Sequence, residues 1–180
     1  QALVLASGPS DPQERCTLFF LHAISMARRR LWIASPYFVP DEGIIQALQL
    51  AAIRGVEVRI LLPMKPDHRL VWLASFALLK ELDHPGIHVH RFTGGFLHHK
   101  ALLVDEGFAA VGTKNFDNRS FRLNFEITLA VADAGFAAEV AAMFTRDFGE
   151  SLEVGARAYD ALPFHLKVGA KAARLLAPVL

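Results

Sequence analysis

Apolar residues recur along the chain in short blocks whose spacing alternates between that of strands and that of helices. Short apolar runs bounded by Gly, Pro, Asp or Ser are typical of strands, whereas apolar residues at i, i+3, i+4 and i+7 indicate a helix that covers a core with one face. The predicted strands are residues 2–6, 31–35, 56–62, 87–92, 97–104, 108–111 and 124–131. The predicted helices are residues 11–30, 41–54, 67–82 and 136–152, and a last helix that starts at Pro163.

This order of elements predicts an α/β protein. Strand–helix–strand alternation in the first half produces parallel strands, and the hairpin turn expected at residues 105–107 adds antiparallel ones. We therefore expect a mixed β-sheet flanked by helices on both faces, an α/β/α sandwich. Because one domain typically takes about 100–200 residues, the 180 residues predict a single domain over 1–180.

Local signals place several helix ends. Asp11, followed by Pro12, predicts the N-cap of the first helix, and Asp67 predicts the N-cap of the third. The arginines 28–30 would close the first helix, where cations complement its dipole, although three arginines could also bind phosphate groups. Gly55 predicts the end of the second helix, since glycine readily takes the left-handed backbone conformation found there.

Composition narrows the possible partners. With 19 basic and 18 acidic residues the formal net charge is +1, so bulk charge gives no attraction to nucleic acid. Apolar residues make up 53% of the sequence, above the ~45–50% usual for soluble domains. This fits either a large core or an exposed apolar face that meets a partner or a lipid. Cys16 stands alone, which excludes an intrachain disulfide, and the longest apolar run, residues 70–79, is shorter than the ~20 residues that span a bilayer.

Groups suited to phosphoryl transfer concentrate in the segment 98–126. The predicted strand 97–104 would place His98 and Lys100 on one face, and the returning strand would leave Thr113 and Asn115 beside them. An imidazole can attack phosphorus or transfer a proton. An ammonium neutralises phosphoryl oxygens, and an amide N–H adds a directional contact. This group of side chains predicts phosphoryl transfer without a metal ion or other cofactor.

The spacing His98-x-Lys100-x4-Asp105-x6-Gly112-Thr113-x-Asn115 resembles the HKD signature of the phospholipase D superfamily. The run from Asn115 to Glu126 resembles, more particularly, the C-terminal HKD half of bacterial cardiolipin synthases, and residues 36–42, 54–63 and 175–180 agree with it. The resemblance covers nearly the whole chain. Family members of that kind carry two HKD motifs and this chain has one, so we expect a phospholipase D-like half of a longer protein.

The resemblance implies a role for each matched residue. His98 would be the nucleophile that forms a phosphohistidine, or the general acid/base partner of a second histidine. Lys100 and Asn115 would hold phosphoryl oxygens, and Thr113 takes the place of the commoner Ser in binding substrate. Glu126 would accept a hydrogen bond from the histidine and fix its tautomer.

Three further residues have weaker signals. Asp105 belongs to the motif and is counted with the catalytic residues, but its position in a turn predicts a supporting role, such as pairing with a cation outside the pocket. Tyr37 follows a strand end, where ligands bind in open α/β sheets, and could line the mouth of a substrate pocket. His99 should face away from the site. With one cysteine and no helical His pair around a Glu, a metal site is not expected.

The resemblance implies a phosphatidyltransferase of cardiolipin synthase type, which moves a phosphatidyl group from one phosphatidylglycerol to another. Its second HKD motif would come from a missing N-terminal half or a homodimer mate. Three alternatives stay open: a phospholipase D hydrolase, a single-motif homodimeric phosphodiesterase or nuclease, and a non-catalytic isolated half.

The expected partners are a phosphatidylglycerol-like phospholipid, the second HKD half and a membrane surface, and not nucleic acid. The parent protein would lie at the bacterial inner membrane through an N-terminal anchor, whereas this piece alone would be soluble. The last helix, in which Lys167, Lys171 and Arg174 mix with apolar residues, could lie on an anionic membrane, but packing against the body is the favoured interpretation.

Overall fold

A mixed sheet forms the centre of the computed structural model, which describes residues 1–11, 14–65 and 68–176. The strands are β1 (Ala2–Ser7), β2 (Arg30–Ala34), β3 (Phe38–Val39), β4 (Glu57–Pro63), β5 (Ile87–Phe92), β6 (Lys100–Val104), β7 (Phe108–Gly112), β8 (Phe116–Asp117), β9 (Glu126–Ala132) and β10 (Ser151–Val154). The helices are α1 (Arg15–Met26), α2 (Glu42–Ile53), α3 (Arg69–Glu81), α4 (Asn118–Arg122), α5 (Ala134–Gly149), α6 (Ala156–Asp160) and α7 (Phe164–Leu175).

Eight of these strands form the main sheet, in the order β1-β9-β7-β6-β2-β4-β5-β10, and β3 pairs with β8 in a small separate sheet. β2, β4 and β5 are parallel neighbours, whereas β6, β7, β9 and β1 follow one another antiparallel, and β10 pairs antiparallel with β5. Ala34 of β2 lies opposite both Leu61 of β4 and Ala101 of β6. The carboxyl ends of β2, β4 and β5 and the amino end of β6 therefore lie together at one end of the strands. We call this end the sheet edge.

Helices cover the sheet on both faces, as predicted for an α/β/α sandwich. Alternate strand residues such as Ile33 and Ile60 pack under α1, α2 and α3, whereas Leu61 and Leu103 pack on the other face against Phe144 of α5. Each strand in the middle of the sheet contributes side chains to both cores because successive side chains point to opposite faces. The mixed α/β fold class is confirmed.

The first helix differs from its prediction at both ends. It begins at Arg15 with Glu14 in the N-cap position, so the prediction that Asp11 caps it is wrong. Asp11 instead accepts the backbone N–H of Gly8 and pairs with the Arg15 guanidinium. The helix ends at Met26, and the arginines 28–30 lie beyond it because their backbone N–H groups bind the carboxylate of Asp105.

The predicted helix 136–152 is also too long. α5 ends at Gly149, and the residues after it form β10, which adds an edge strand to β5. The helix stops because Thr93, at the end of β5, bonds to the backbone of Glu150 through both its N–H and its hydroxyl. Periodicity alone gave no sign of this tertiary contact.

The strand predicted at 97–104 begins only at Lys100. The remaining predicted strands and the helix 41–54 agree with the structure to within two residues at each end. The sequence pattern missed β3, β8, α4 and α6, each too short to show a period. Asp67, Pro12 and the segment 177–180 lie outside the described residues.

Candidate active site

His98 and Lys100 meet where the chain enters β6. The buried Leu97 anchors this segment in the core, and the ring of exposed His98 stacks on the ring of Phe96, with centroids 5.3 Å apart and planes at 11°. His98 precedes the strand, so the two residues are not related by strand alternation as predicted. Instead, Lys100 Nζ donates a hydrogen bond of 2.7 Å to the carbonyl of His98. The imidazole and the ammonium nevertheless belong to one short, connected segment.

Thr113 and Glu126 are brought beside this segment by strand pairing. Lys100 lies opposite Gly112 across β6 and β7, and Gly112 lies opposite Thr128 across β7 and β9. The Thr113 hydroxyl donates to the carboxylate of Glu126 and accepts the N–H of Ile127 at 3.0 Å. Thr113 therefore orients a carboxylate at the same edge of the sheet as Lys100.

Glu126 has a second polar partner. Asn124 Nδ2 donates to its other carboxylate oxygen at 3.3 Å. Two neighbouring side chains thus hold the carboxylate in place. The expected hydrogen bond from His98 to Glu126 stays a prediction.

Asn115 is buried in the loop that leaves β7. Its side chain is 9% exposed, and its Nδ2 lies 3.4 Å from Ser120 Oγ. Its amide oxygen has no hydrogen-bond partner among the described residues. The next residue, Phe116, donates its backbone N–H to Ser35 Oγ at 3.0 Å, which fixes the loop against the end of β2.

A buried lysine at the unspecified position of the motif, between Thr113 and Asn115, braces the same loop. Lys114 is 3% exposed, donates a hydrogen bond to the carbonyl of Ser120 and lies 5.6 Å from the ring centroid of Phe121. Asp117 caps α4 by accepting the N–H of Ser120 at 2.6 Å, and burial raises the pKa of this carboxyl. These bonds hold the backbone on both sides of Asn115.

Asp105 lies at the opposite end of β6 from Lys100. It takes a positive φ of 51°, and its carboxylate accepts backbone N–H groups from Arg28, Arg29 and Arg30 at 2.8–3.3 Å. Burial acts to raise the pKa of Asp105, but the three backbone hydrogen bonds outweigh it and lower that pKa. The structure thus places this residue of the motif in a structural junction, away from His98.

Tyr37 lies in a different cavity of the same sheet edge. This cavity sits at the ends of β2 and β4, and the Tyr37 ring contacts that of His68 with centroids 6.3 Å apart. Ser35 Oγ donates to the carbonyl of Tyr37 and accepts the N–H of Phe116. The serine therefore links the Tyr37 loop to the Asn115 loop, but the tyrosine ring itself points to the second cavity.

His99 faces away from the site, as predicted. Its Nε2 lies 3.2 Å from Asp147 Oδ2 on α5, and burial lowers the pKa of this imidazole. Within the described ranges, no group of three or more His, Cys, Asp or Glu residues could hold a metal ion. None of the described helices is both long enough and apolar enough to cross a membrane.

The sequence is similar to that of a known protein family over most of its length. Residues 20–148 match the family model described as "Cardiolipin synthase, PLD-like domain". Cardiolipin synthase A of Pseudomonas putida is 51% identical over 176 residues, which cover 98% of this chain and 37% of that protein. The chain thus spans little more than a third of the length of this curated relative.

Two solved structures share the fold. A phospholipase D family member, Nuc from Salmonella typhimurium, superposes with a TM-score of 0.73 at 22% identity and covers 86% of this chain and 99% of its own. Phosphatidylserine synthase of Haemophilus influenzae has a TM-score of 0.76 at 16% identity and covers 99% of this chain and 48% of its own. With the family model matched over most of the sequence, the chain belongs to the PLD-like domain family of cardiolipin synthases.

Proposed function

We propose that this chain is one catalytic half of a phosphatidyltransferase of cardiolipin synthase type. The whole enzyme would transfer the phosphatidyl group of one phosphatidylglycerol to a hydroxyl of another and release glycerol. The observation that carries this proposal is the shared sheet edge where the His98–Lys100 segment meets the Thr113–Glu126 pair. The 51% identity to cardiolipin synthase A over 98% of the chain supports the same substrate class.

The reaction would run in two displacements. His98 attacks phosphorus, a P–N bond forms, and the P–O bond to glycerol breaks while an acid protonates the departing oxygen. The hydroxyl of a second phosphatidylglycerol then loses its proton to a base and attacks phosphorus, and the P–N bond breaks. Lys100 and the amide of Asn115 would stabilise charge on the phosphoryl oxygens in both steps.

A second imidazole is required because the departing oxygen leaves on the side opposite the nucleophile. We propose that a second His–Lys motif supplies it, from another part of the whole protein or from a second copy. Large apolar side chains next to the site residues support such a partner: Phe96 is 71% exposed and Phe125 is 81% exposed. A facing half would cover these rings.

Membrane contact is the second part of the proposal. α7 packs on the body through Ala170 and Ala173, as predicted, but Phe164, Val168 and Leu175 form an exposed apolar stripe with Lys171 on its outer face. An apolar stripe that includes a basic residue fits an anionic bilayer surface. We propose that α7 lies on the bacterial inner membrane that holds the substrate. Replacing Val168 and Leu175 by Ser should reduce cosedimentation with phosphatidylglycerol vesicles.

The central test replaces His98 by Asn in an enzyme that contains both motifs. Release of glycerol from phosphatidylglycerol vesicles should fall by about 10²–10⁴-fold or more, since proton transfer and nucleophilic attack are both affected. The matched control is His99→Asn, which alters the neighbouring histidine on the other face and should keep turnover within a few-fold. Equal activity of the two variants would contradict the proposed role of His98.

Product analysis separates the acceptors. A transferase forms cardiolipin, whereas a hydrolase that uses water with the same intermediate forms phosphatidic acid. We expect cardiolipin as the main product at high phosphatidylglycerol content.

A further inference from the structure

The ring of Phe96 lies against the ring of the candidate nucleophile. Its plane is inclined by 11° to that of the His98 imidazole, and the two ring centroids are 5.3 Å apart. Aromatic rings in contact prefer an offset stack with centroids about 4.5–7 Å apart, so this pair has a favoured geometry. The hydrocarbon ring covers one face of the imidazole, whereas the imidazole edge, which carries both nitrogens, is not covered by it.

Phe96 contributes little to the folded core. Its side chain is 71% exposed, whereas the next residue, Leu97, is 2% exposed and packs in the core beneath α5. An exposed side chain that is held in one place loses rotamer freedom and buries little apolar area in return. The stability of the domain therefore gives no reason for an ordered aromatic ring at position 96.

The backbone that carries the two rings is fixed by other contacts. Leu97 anchors it in the core, His99 pairs with α5, and Lys100 Nζ donates to the carbonyl of His98 at 2.7 Å. These contacts hold the main chain at His98 but leave its side chain two rotatable bonds. Exposed side chains change rotamer within picoseconds to nanoseconds. The stack with Phe96 is the contact that restricts this rotation.

A nucleophile must be aimed as well as held. The lone pair that attacks phosphorus lies in the plane of the imidazole, and a small misplacement of the reacting atom can cost much of the rate. The hydrogen bond predicted between His98 and Glu126 would fix one direction within this plane, but it would leave rotation about the bond itself. A ring stacked on the imidazole fixes the plane, so the two contacts complement each other.

The Phe96 ring also suits the charge that His98 takes up. The imidazole becomes positive when it forms the P–N bond and keeps its other N–H, and it starts positive if it serves as the acid. The face of an aromatic ring is negative and attracts a cation within about 6 Å of its centroid. The centroid separation of 5.3 Å lies within this range. The stack therefore favours the step in which the imidazole carries charge.

We propose that Phe96 is a positioning residue, whose ring orients the His98 imidazole for reaction and stabilises the positive charge on it. This inference rests on the proposed function for the reaction, but the stack itself can be tested without turnover. Aromatic pairs of this kind contribute enough free energy to change a rate by about two- to tenfold.

Proton NMR of the 180-residue chain tests the stack directly. His98→Asn identifies the ring signals of His98 among those of the eight histidines. A stacked aromatic ring shields these protons, so Phe96→Leu should move the signals downfield, and Phe96→Tyr, which keeps the ring, should not. The matched control is Phe125→Leu: it removes another exposed ring, which is 81% exposed and lies against Gly8, and should leave the His98 signals in place.

Turnover is measured in an enzyme that contains both motifs. Phe96→Leu should lower kcat for glycerol release by about two- to tenfold with an unchanged KM, because the aromatic contact acts in the transition state. Phe96→Tyr should keep the kcat of the parent. Since position 96 is exposed, both variants should keep the unfolding midpoint of the parent, which separates this effect from a loss of folding.

Unshifted His98 signals in Phe96→Leu, or equal kcat of Phe96→Leu and Phe96→Tyr, would overturn the positioning role. An equal fall of kcat in Phe96→Leu and Phe125→Leu would also overturn it, because both rings would then act only through contact with the facing half. These outcomes leave the proposed function intact. Full turnover of His98→Asn would instead refute the proposed function, and the positioning role with it.

Discussion

Replacing Asp105 by Ala separates structural support from catalysis within the HKD motif. The variant removes the acceptor of three backbone N–H groups, from Arg28, Arg29 and Arg30, and places alanine at a φ of 51°. Hydrogen bonds to a charged group contribute about 1.5–3 kcal/mol each, but water can reach the exposed amides of Arg28 and Arg29. With about 1 kcal/mol for alanine in the left-handed region, we expect a loss of about 3–5 kcal/mol in the free energy of unfolding.

Asp105→Asn is the matched control. Asparagine tolerates the left-handed region and keeps one acceptor oxygen, so we expect it to lose about half as much stability. Urea unfolding followed by circular dichroism would measure both. Asp105 is five strand residues from Lys100, about 17 Å away. Turnover per folded enzyme molecule should therefore stay within a few-fold in Asp105→Asn.

The pH dependence of stability gives an independent check. Because the pKa of Asp105 is lowered in the folded protein, its contribution is present above the unfolded value near 3.8 and is lost as the pH falls through the folded value. Asp105→Asn should reduce this loss of stability at acid pH. This interpretation would be refuted if Asp105→Asn abolished turnover while its unfolding free energy, and the fall of that energy at acid pH, matched those of the parent.

Three further variants test the packing around the site. Gly112→Ala should destabilise the protein by several kcal/mol in thermal unfolding, because an added Cβ would lie 2.3 Å from the carbonyl oxygen of Ile127 on β9; an unchanged midpoint would contradict that contact. Thr113→Ser should keep turnover and Thr113→Val should lower it by about tenfold or more, since only serine keeps the hydroxyl that binds Glu126. Lys114→Ala should lower the unfolding free energy by about 2–4 kcal/mol, as it leaves a cavity and an unpaired Ser120 carbonyl, and equal stability in urea would refute this.

Elements with local signals were predictable from the sequence. Asp41 caps α2 by accepting the N–H of Ile44, and Gly55 takes a φ of +87° just beyond its end. Both features follow from the chemistry of one or two residues. β10 was not predictable, because Ser151–Val154 becomes a strand only by pairing with β5, which lies some sixty residues earlier in the chain. Tertiary pairing overrode helix periodicity there.

The motif spacing located the segments of the site but not the way they meet. The Thr113–Glu126 bond depends on the pairing of β7 with β9, which no short sequence pattern specifies. Arg91 has a signal in the sequence: it has the same strand parity as Ile87 and Val89, so alternation places it on the buried face of β5. There it lines the cavity beside Tyr37. A charged residue in an apolar row of a strand is the pattern that could have pointed to the second cavity.

The pairing of β1 with β9 also affects the order in which parts of the fold form. Ser7 lies opposite Glu126, so β9, which carries this carboxylate, is paired on one side by β1, more than a hundred residues earlier in the sequence. During synthesis the residues of β1 must wait until more than a hundred others have emerged, and long-range pairings of this kind form slowly. The surroundings of the Glu126 carboxylate therefore form late in folding, and deleting β1 would loosen Glu126 without changing a residue of the motif.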